Sequence, residues 1–235
     1  MSESTNEFGQ RIGPKVSHWQ EAKRPSRTAI KGHYCLVEPL KPDRHAQELF
    51  NAFTEGQAGK MWTYLSQGPF ECFSDFHSWV DSASQSDDPL CYALIDAASK
   101  KAVGIAGYAR IDTVNGVIEV GGLTYSPQMQ KTALATEAMF LMMQNAFDKL
   151  GYRRYEWKCD SLNQASCRAA ERLGFRYEGL FRQATIYKGR SRDTAWYSII
   201  DSEWPALRKA FCTWLDDDNF DNNGIQKQRL QDFIA

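Results

Sequence analysis

The stretch Tyr125 to Ala138, YSPQMQKTALATEA, leaves a strand-like run, turns at Ser126-Pro127 and enters a long apolar segment through Gln130-Lys131-Thr132. Two kinds of phosphate chemistry compete for such a stretch. A nucleotide-binding loop, G-x-x-x-x-G-K-[ST], needs glycines where the backbone turns around phosphates. Aligned on Lys131-Thr132, those positions hold Tyr125 and Gln130, whose side chains would fill the cradle. No acidic magnesium-binding strand follows, so this chemistry fails. The other is a pyrophosphate held by unpaired N–H groups and the positive dipole end of a helix. It needs small residues at the approach. Ala133 and Ala135 are small, and Thr132 and Thr136 add hydroxyls.

Other reactive side chains are less suggestively placed. The six cysteines (Cys35, Cys72, Cys91, Cys159, Cys167, Cys212) form no CxxC pair, and Cys35, Cys91 and Cys159 sit in strand-like runs. They read as reduced thiols of a cytoplasmic protein. All four histidines (His18, His33, His45, His77) fall in the first third without metal-ligand spacing, which disfavours a metal site or a Ser-His-Asp triad. With no histidine after His77, Cys167 reads as a buried thiol rather than a nucleophile.

The 235 residues are 43% apolar and 24% charged with net charge −1, an ordinary globular balance. No overall basic field invites nucleic acid. No run approaches the roughly 18 apolar residues of a membrane span, and the polar start MSESTNEFGQ lacks a secretion-signal core.

The elements that must position the motif can be read in order. Residues 1–28 form an N-terminal arm, 29–215 one domain and 216–235 a polar tail, expected to be solvated. His33–Val37 is a first strand, Asp43 caps a helix through Phe53, and Phe76–Ala83 is a second helix. Leu90–Asp96, Val103–Asp112 and Val117–Tyr125 are three further strands, the last pair joined at Asn115-Gly116. Thr132–Leu150 is a broadly apolar helix stopped by Gly151. Tyr155, Trp157 and Cys159 alternate with Arg154, Glu156 and Lys158, giving a fifth strand with one polar face. Ser161 opens a capping box for a helix ending at Gly174. Phe175–Lys188 and Thr194–Ile200 make a last hairpin, followed by a helix over Trp204–Leu215. Arg153-Arg154 and Arg190-Ser191-Arg192 read as solvated turns.

Tyr125 to Phe175 resembles the acyl-CoA-binding core of the GNAT N-acetyltransferases, in the branch that includes ribosomal-protein N-terminal acetyltransferases. That family reads S-P-x-x-[QR]-x-x-G-x-[GA]-T-E-A, then N-x-x-S and L-G-F. Ser126-Pro127, Gln130, Ala135-Thr136-Glu137-Ala138, Asn163 to Ser166 and Leu173-Gly174-Phe175 match. The family's first loop glycine is Ala133 here, and the Glu119–Pro127 spacing is one residue long, which a bulge at Gly121-Gly122 would absorb.

The resemblance implies an α/β (α+β) fold, with a mixed, mostly antiparallel sheet flanked by helices and a V-shaped splay between strands four and five. It implies acetyl-CoA as acyl donor and direct attack by a primary amine of a small molecule or peptide N-terminus. Glu119 would be the general base and Ser166 the acid for the leaving thiolate. An amide within Leu123, Thr124 and Tyr125 would stabilise the oxyanion. Gln130, Lys131, Thr132, Ala133, Leu134, Ala135 and Thr136 would hold the pyrophosphate, and Asn163 and Ser166 the pantetheine end. Tyr125 is a second candidate acid, Glu137 would act on the helix's first turn, and Trp62, Tyr64 and Phe70 would overhang the acceptor cleft. The rival class is a non-catalytic CoA-binding scaffold.

Overall fold

The computed structural model describes residues 4–56 and 58–234; Met1 to Glu3 of the expected arm and Ala235 of the tail lie outside them. An eight-stranded sheet forms the centre. Its edge is the two-residue strand Ile30–Lys31, followed by β1 (Cys35–Pro39), β2 (Leu90–Asp96), β3 (Ala102–Asp112), β4 (Val117–Tyr125), β5 (Arg154–Asp160), β7 (Arg190–Ile200) and β6 (Arg176–Tyr187). All neighbours run antiparallel except β4 and β5.

Side-chain alternation decides which helix covers which face. Cys91, Ala93 and Ile95 of β2 and Ile105 of β3 meet α1 (Pro42–Thr54) and α2 (Phe73–Gln85) through Leu49, Phe53, Phe76 and Val80. Tyr92, Tyr108, Ile118, Val120 and Tyr155 turn the other way, onto α3 (Ala133–Gln144), α4 (Gln164–Arg172) and α5 (Trp204–Trp214). Phe140 stacks on Phe211, and Phe147 on Trp204, which docks α5 against α3.

Several local expectations shift. Asp43 does not cap α1: the helix begins at Pro42, and Asp43 lies in its first turn. His45 Nδ1 accepts the Lys41 amide instead. Asn163, not Ser161, caps α4. The long apolar helix widens into a π-turn over Asn145–Lys149. There Tyr108 Oη donates to the Met142 carbonyl at 2.8 Å, next to Asn145. Trp62 and Phe70 belong to a ring cluster with Phe53, Phe76 and Trp79 that packs the α1–α2 lobe, and Trp62 O accepts Lys188 Nζ from the tip of the last hairpin.

The arm is held where it crosses the body. The Trp19 indole donates to Val114 O, the Ala22 amide to Thr113 O, and Arg27 to Ser84 O and Ser86 O. The segment past 215 is mostly exposed but folds back rather than trailing free. Leu230 is fully buried, Trp214 Nε1 donates to Gln226 Oε1, and Asn219 Nδ2 to Trp214 O.

Candidate active site

β4 and β5 share four parallel rungs, from Val117 with Arg154 to Val120 with Trp157, and then part. β5 continues with β7 as far as Asp160 opposite Thr194, while β4 stays with β3. The cause lies in β4. Thr124 pairs with Ile105 but Gly121 with Gly107, so three steps on β4 oppose two on β3. The extra residue is the expected bulge, and it turns β4 away from β5. Gly122 takes φ +63° there, a left-handed backbone that favours glycine, and a Cβ would meet nothing within 4 Å. Sign of φ, not space, requires the glycine. Beyond Val120, backbone groups of β4 that face the splay have lost their partner strand.

The turn after β4 is held by its own bonds. Met129 and Gln130 amides donate to Ser126 O, and Gln130 Nε2 returns to Tyr125 O at 3.1 Å. Lys131 takes φ +63° and reverses the chain into α3. Thr132 caps that helix, its hydroxyl donating to Met129 O at 2.6 Å and accepting the Ala135 amide at 3.2 Å. Ala133 and Leu134 sit in the first turn, where amides have no intrahelical acceptor. Not every expected cradle residue faces outward. The Thr136 hydroxyl donates to Thr132 O and accepts Arg172 Nη1, so the structure turns it inward to tie α3 to α4.

Asn163 Oδ1 accepts the Ser166 amide at 3.2 Å, which fixes the start of α4. Ser166 Oγ accepts the indole N–H of Trp157 at 3.0 Å, and Trp157 stands on the last shared rung. Leu123 and Tyr125 pack on the α3-side core, and Thr124 Oγ1 donates to Gly122 O. The Tyr125 hydroxyl is buried without a partner, and burial drives its pKa far above the ordinary phenol range.

Glu119 lies one residue before the parting, opposite Glu156 and on the face away from α3. It is 8% exposed, and its Oε2 lies 2.9 Å from Arg110 Nε and 3.0 Å from Lys158 Nζ. Desolvation pushes its pKa above the usual carboxylate value; the two cations pull it down, and Glu156 pushes it up again. Glu156 also binds Lys158 and Arg154, and Arg154 reaches Glu178. The polar face of β5, expected from alternation alone, is therefore a buried ion network. Arg154 belongs to it and is not a solvated turn residue. Lys158, Arg110 and Trp157 were missed as site residues; the alternation marked the face without revealing its burial.

Glu137 is likewise not an electrostatic ornament of the first turn. Its Oε1 accepts the His33 amide, and its Oε2 those of Tyr34 and Cys35, all at 2.7–2.8 Å. It staples β1 to α3, and a Cβ on Gly32 would fall 2.4 Å from its carboxylate.

Known proteins share this fold. Residues 35–176 match the family described as acetyltransferase (GNAT) domain. A crystal structure of a GCN5-related N-acetyltransferase from Brucella melitensis is 49% identical, with TM-score 0.91 over 93% of this chain and 99% of that one. The N-acetyltransferase p20 of Bacillus licheniformis is 26% identical over 60% of this chain and 80% of its own. The self-immunity acetyltransferase MccE, crystallised with acetyl-CoA and AMP, shares the fold at 22% identity and TM-score 0.63, over 72% of this chain and 93% of its own.

Proposed function

Because this chain belongs to the GNAT acetyltransferase family and is thereby an acyltransferase, we propose that it acetylates a primary amine by direct attack. The acceptor is a small molecule or a peptide N-terminus. Acetyl-CoA, the family's acyl donor, supplies an activated thioester carbonyl when bound. The residues present fit it. Ala133 and Leu134 offer first-turn amides, Ala133 adds only a methyl there, and the β4–β5 splay offers unpaired backbone along its β4 wall.

The chain's own residues then divide the work. An α-amine titrates near ~8 and a lysine near ~10.4, so the acceptor arrives largely protonated. Glu119, whose pKa burial raises above the ordinary carboxylate value, takes the proton directly or through one water. An amide of Leu123 to Tyr125 faces developing negative charge. Ser166, which accepts the Trp157 indole N–H and also bonds the Cys159 thiol, turns its proton to the departing sulfur. Asn163 keeps Oδ1 in the cap and has Nδ2 to donate.

The observation that most supports this reading is the pair of adjacent rungs, Glu119 with Glu156 and Val120 with Trp157, that ends the β4–β5 pairing. Glu119 and Trp157-held Ser166 flank the point where the strands part, one on each face of the sheet. Thiol release from acetyl-CoA across a library of amines tests it: turnover with at least one amine is expected. Should CoA raise the melting temperature while no amine is ever acetylated, the chain is a cofactor-binding scaffold instead.

A further inference from the structure

Lys158 is a lysine where none could be comfortable. Its side chain is 4% exposed on the face of β5 that carries no helix contact to α3. Three partners surround the ammonium. Glu156 Oε2 lies at 2.6 Å, Glu119 Oε2 at 3.0 Å, and the Trp196 ring centroid at 3.8 Å. Trp196 is itself stacked on Phe181, with centroids 4.2 Å apart. A lysine ammonium has three N–H donors, and here two carboxylates and an aromatic face are within reach of them.

The register explains why a cation belongs there. Glu119 and Glu156 are direct partners across the parallel β4–β5 rung, and their side chains share one face. Two neighbouring carboxylates resist being charged together unless a cation lies between them. The groups facing Glu119 are Arg110 from β3 and Lys158 and Glu156 from β5. Arg110 has a largely exposed side chain and is screened by water; Lys158 is the dry one.

We propose that Lys158 is a positioning residue for the acetyl transfer: by neutralising the Glu119–Glu156 pair it keeps Glu119 ionised, aimed and able to accept the acceptor's proton. This rests on Glu119 being the general base. Lys158 touches neither donor nor acceptor and acts through Glu119 alone. The buried network thus poises the base against competing carboxylate charge.

Opposite-signed shifts test it. In Lys158→Met the acid limb of kcat/KM for the amine should move up by about one pH unit or more, while KM for acetyl-CoA stays put. In Glu156→Gln the limb should move down, because Glu119 keeps both cations and loses its like-charged neighbour. Lys158→Arg should return the limb most of the way to wild type. Carbon NMR of the Glu119 carboxyl in cofactor-free protein should titrate in the same directions. If Lys158→Met does not fold, Glu156→Gln and Lys158→Arg decide the matter alone. A limb unmoved in Lys158→Met or Glu156→Gln, although Glu119→Gln abolishes it, overturns the Lys158 assignment and spares the base. A limb that survives Glu119→Gln overturns both.

Discussion

The Trp157 indole points its N–H at Ser166 Oγ from 3.0 Å away, across the gap between a strand and the helix after it. A hydroxyl that accepts one hydrogen bond is polarised to donate another. The pair also sets where the hydroxyl stands, because Trp157 occupies the final rung before β4 and β5 part. In Ser166→Ala, kcat should fall by about tenfold to a thousandfold, with little change in CoA affinity. Trp157→Phe keeps the ring and removes the donor, and should lower kcat by a smaller factor. Steady-state kinetics beside calorimetry of CoA binding checks both; equal turnover in Ser166→Ala removes it from the chemistry.

Ala133 tests the cradle. Ala133→Glu places bulk and negative charge at the first turn of α3, where anions are otherwise favoured. CoA binding by calorimetry should be lost while the melting temperature of the ligand-free protein changes little. Retained affinity would put the pyrophosphate elsewhere.

Glu137 tests the frame. Its carboxylate serves three consecutive amides, so Glu137→Ala strands them, the Cys35 amide in the buried core. Hydrogen bonds to a charged acceptor are worth roughly 1.5–3 kcal/mol each, and the bonds are not additive, so a loss of about 3 kcal/mol is expected. Denaturant unfolding would measure it; a loss below about 1 kcal/mol would mean that water replaces the carboxylate.

Acid should act on the network through Glu178. Its bond to Arg154 holds its pKa down to about 2, helped by Ser198 against some desolvation. A carboxylate depressed in the folded state adds stability above its unfolded value near 4.5, and that stability drains away as pH falls toward 2. Melting temperature measured across this window should therefore fall less steeply for Glu178→Gln than for wild type. Because the carboxylate is largely solvent-exposed, the difference should be modest. Identical slopes would show the Arg154–Glu178 pair to be inert.

What could be read from the sequence was whatever local chemistry fixes. The strand runs Leu90–Asp96 and Val117–Tyr125 were placed to the residue, and the one-residue excess over the resembled family's spacing before Pro127 put a bulge at Gly121-Gly122. The helix that follows Lys131 was legible from its apolar run, although its cap at Thr132 was not read. Long-range partnership was hidden. Nothing near Glu137 announces that it reaches amides over a hundred positions earlier, and nothing near Lys158 reveals Glu119 and Trp196 beside it. Polarity on alternate residues signals water as readily as a dry ion network. Asp43 misled for another reason: Pro42 already opens the helix, which starts with no side-chain cap, and His45 Nδ1 instead takes the Lys41 amide just ahead of it.

With only Val117–Val120 joined to Arg154–Trp157, the central sheet is two leaves sewn along a short spine. Elsewhere its strands are fastened over most of their length, so opening motions should concentrate at this seam. Whatever lodges between the leaves then acts as a wedge and a clasp together: it holds them apart by its thickness and ties them by its bonds. Occupancy of the cleft becomes a mechanical property of the whole body, which stiffens when loaded and loosens when discharged.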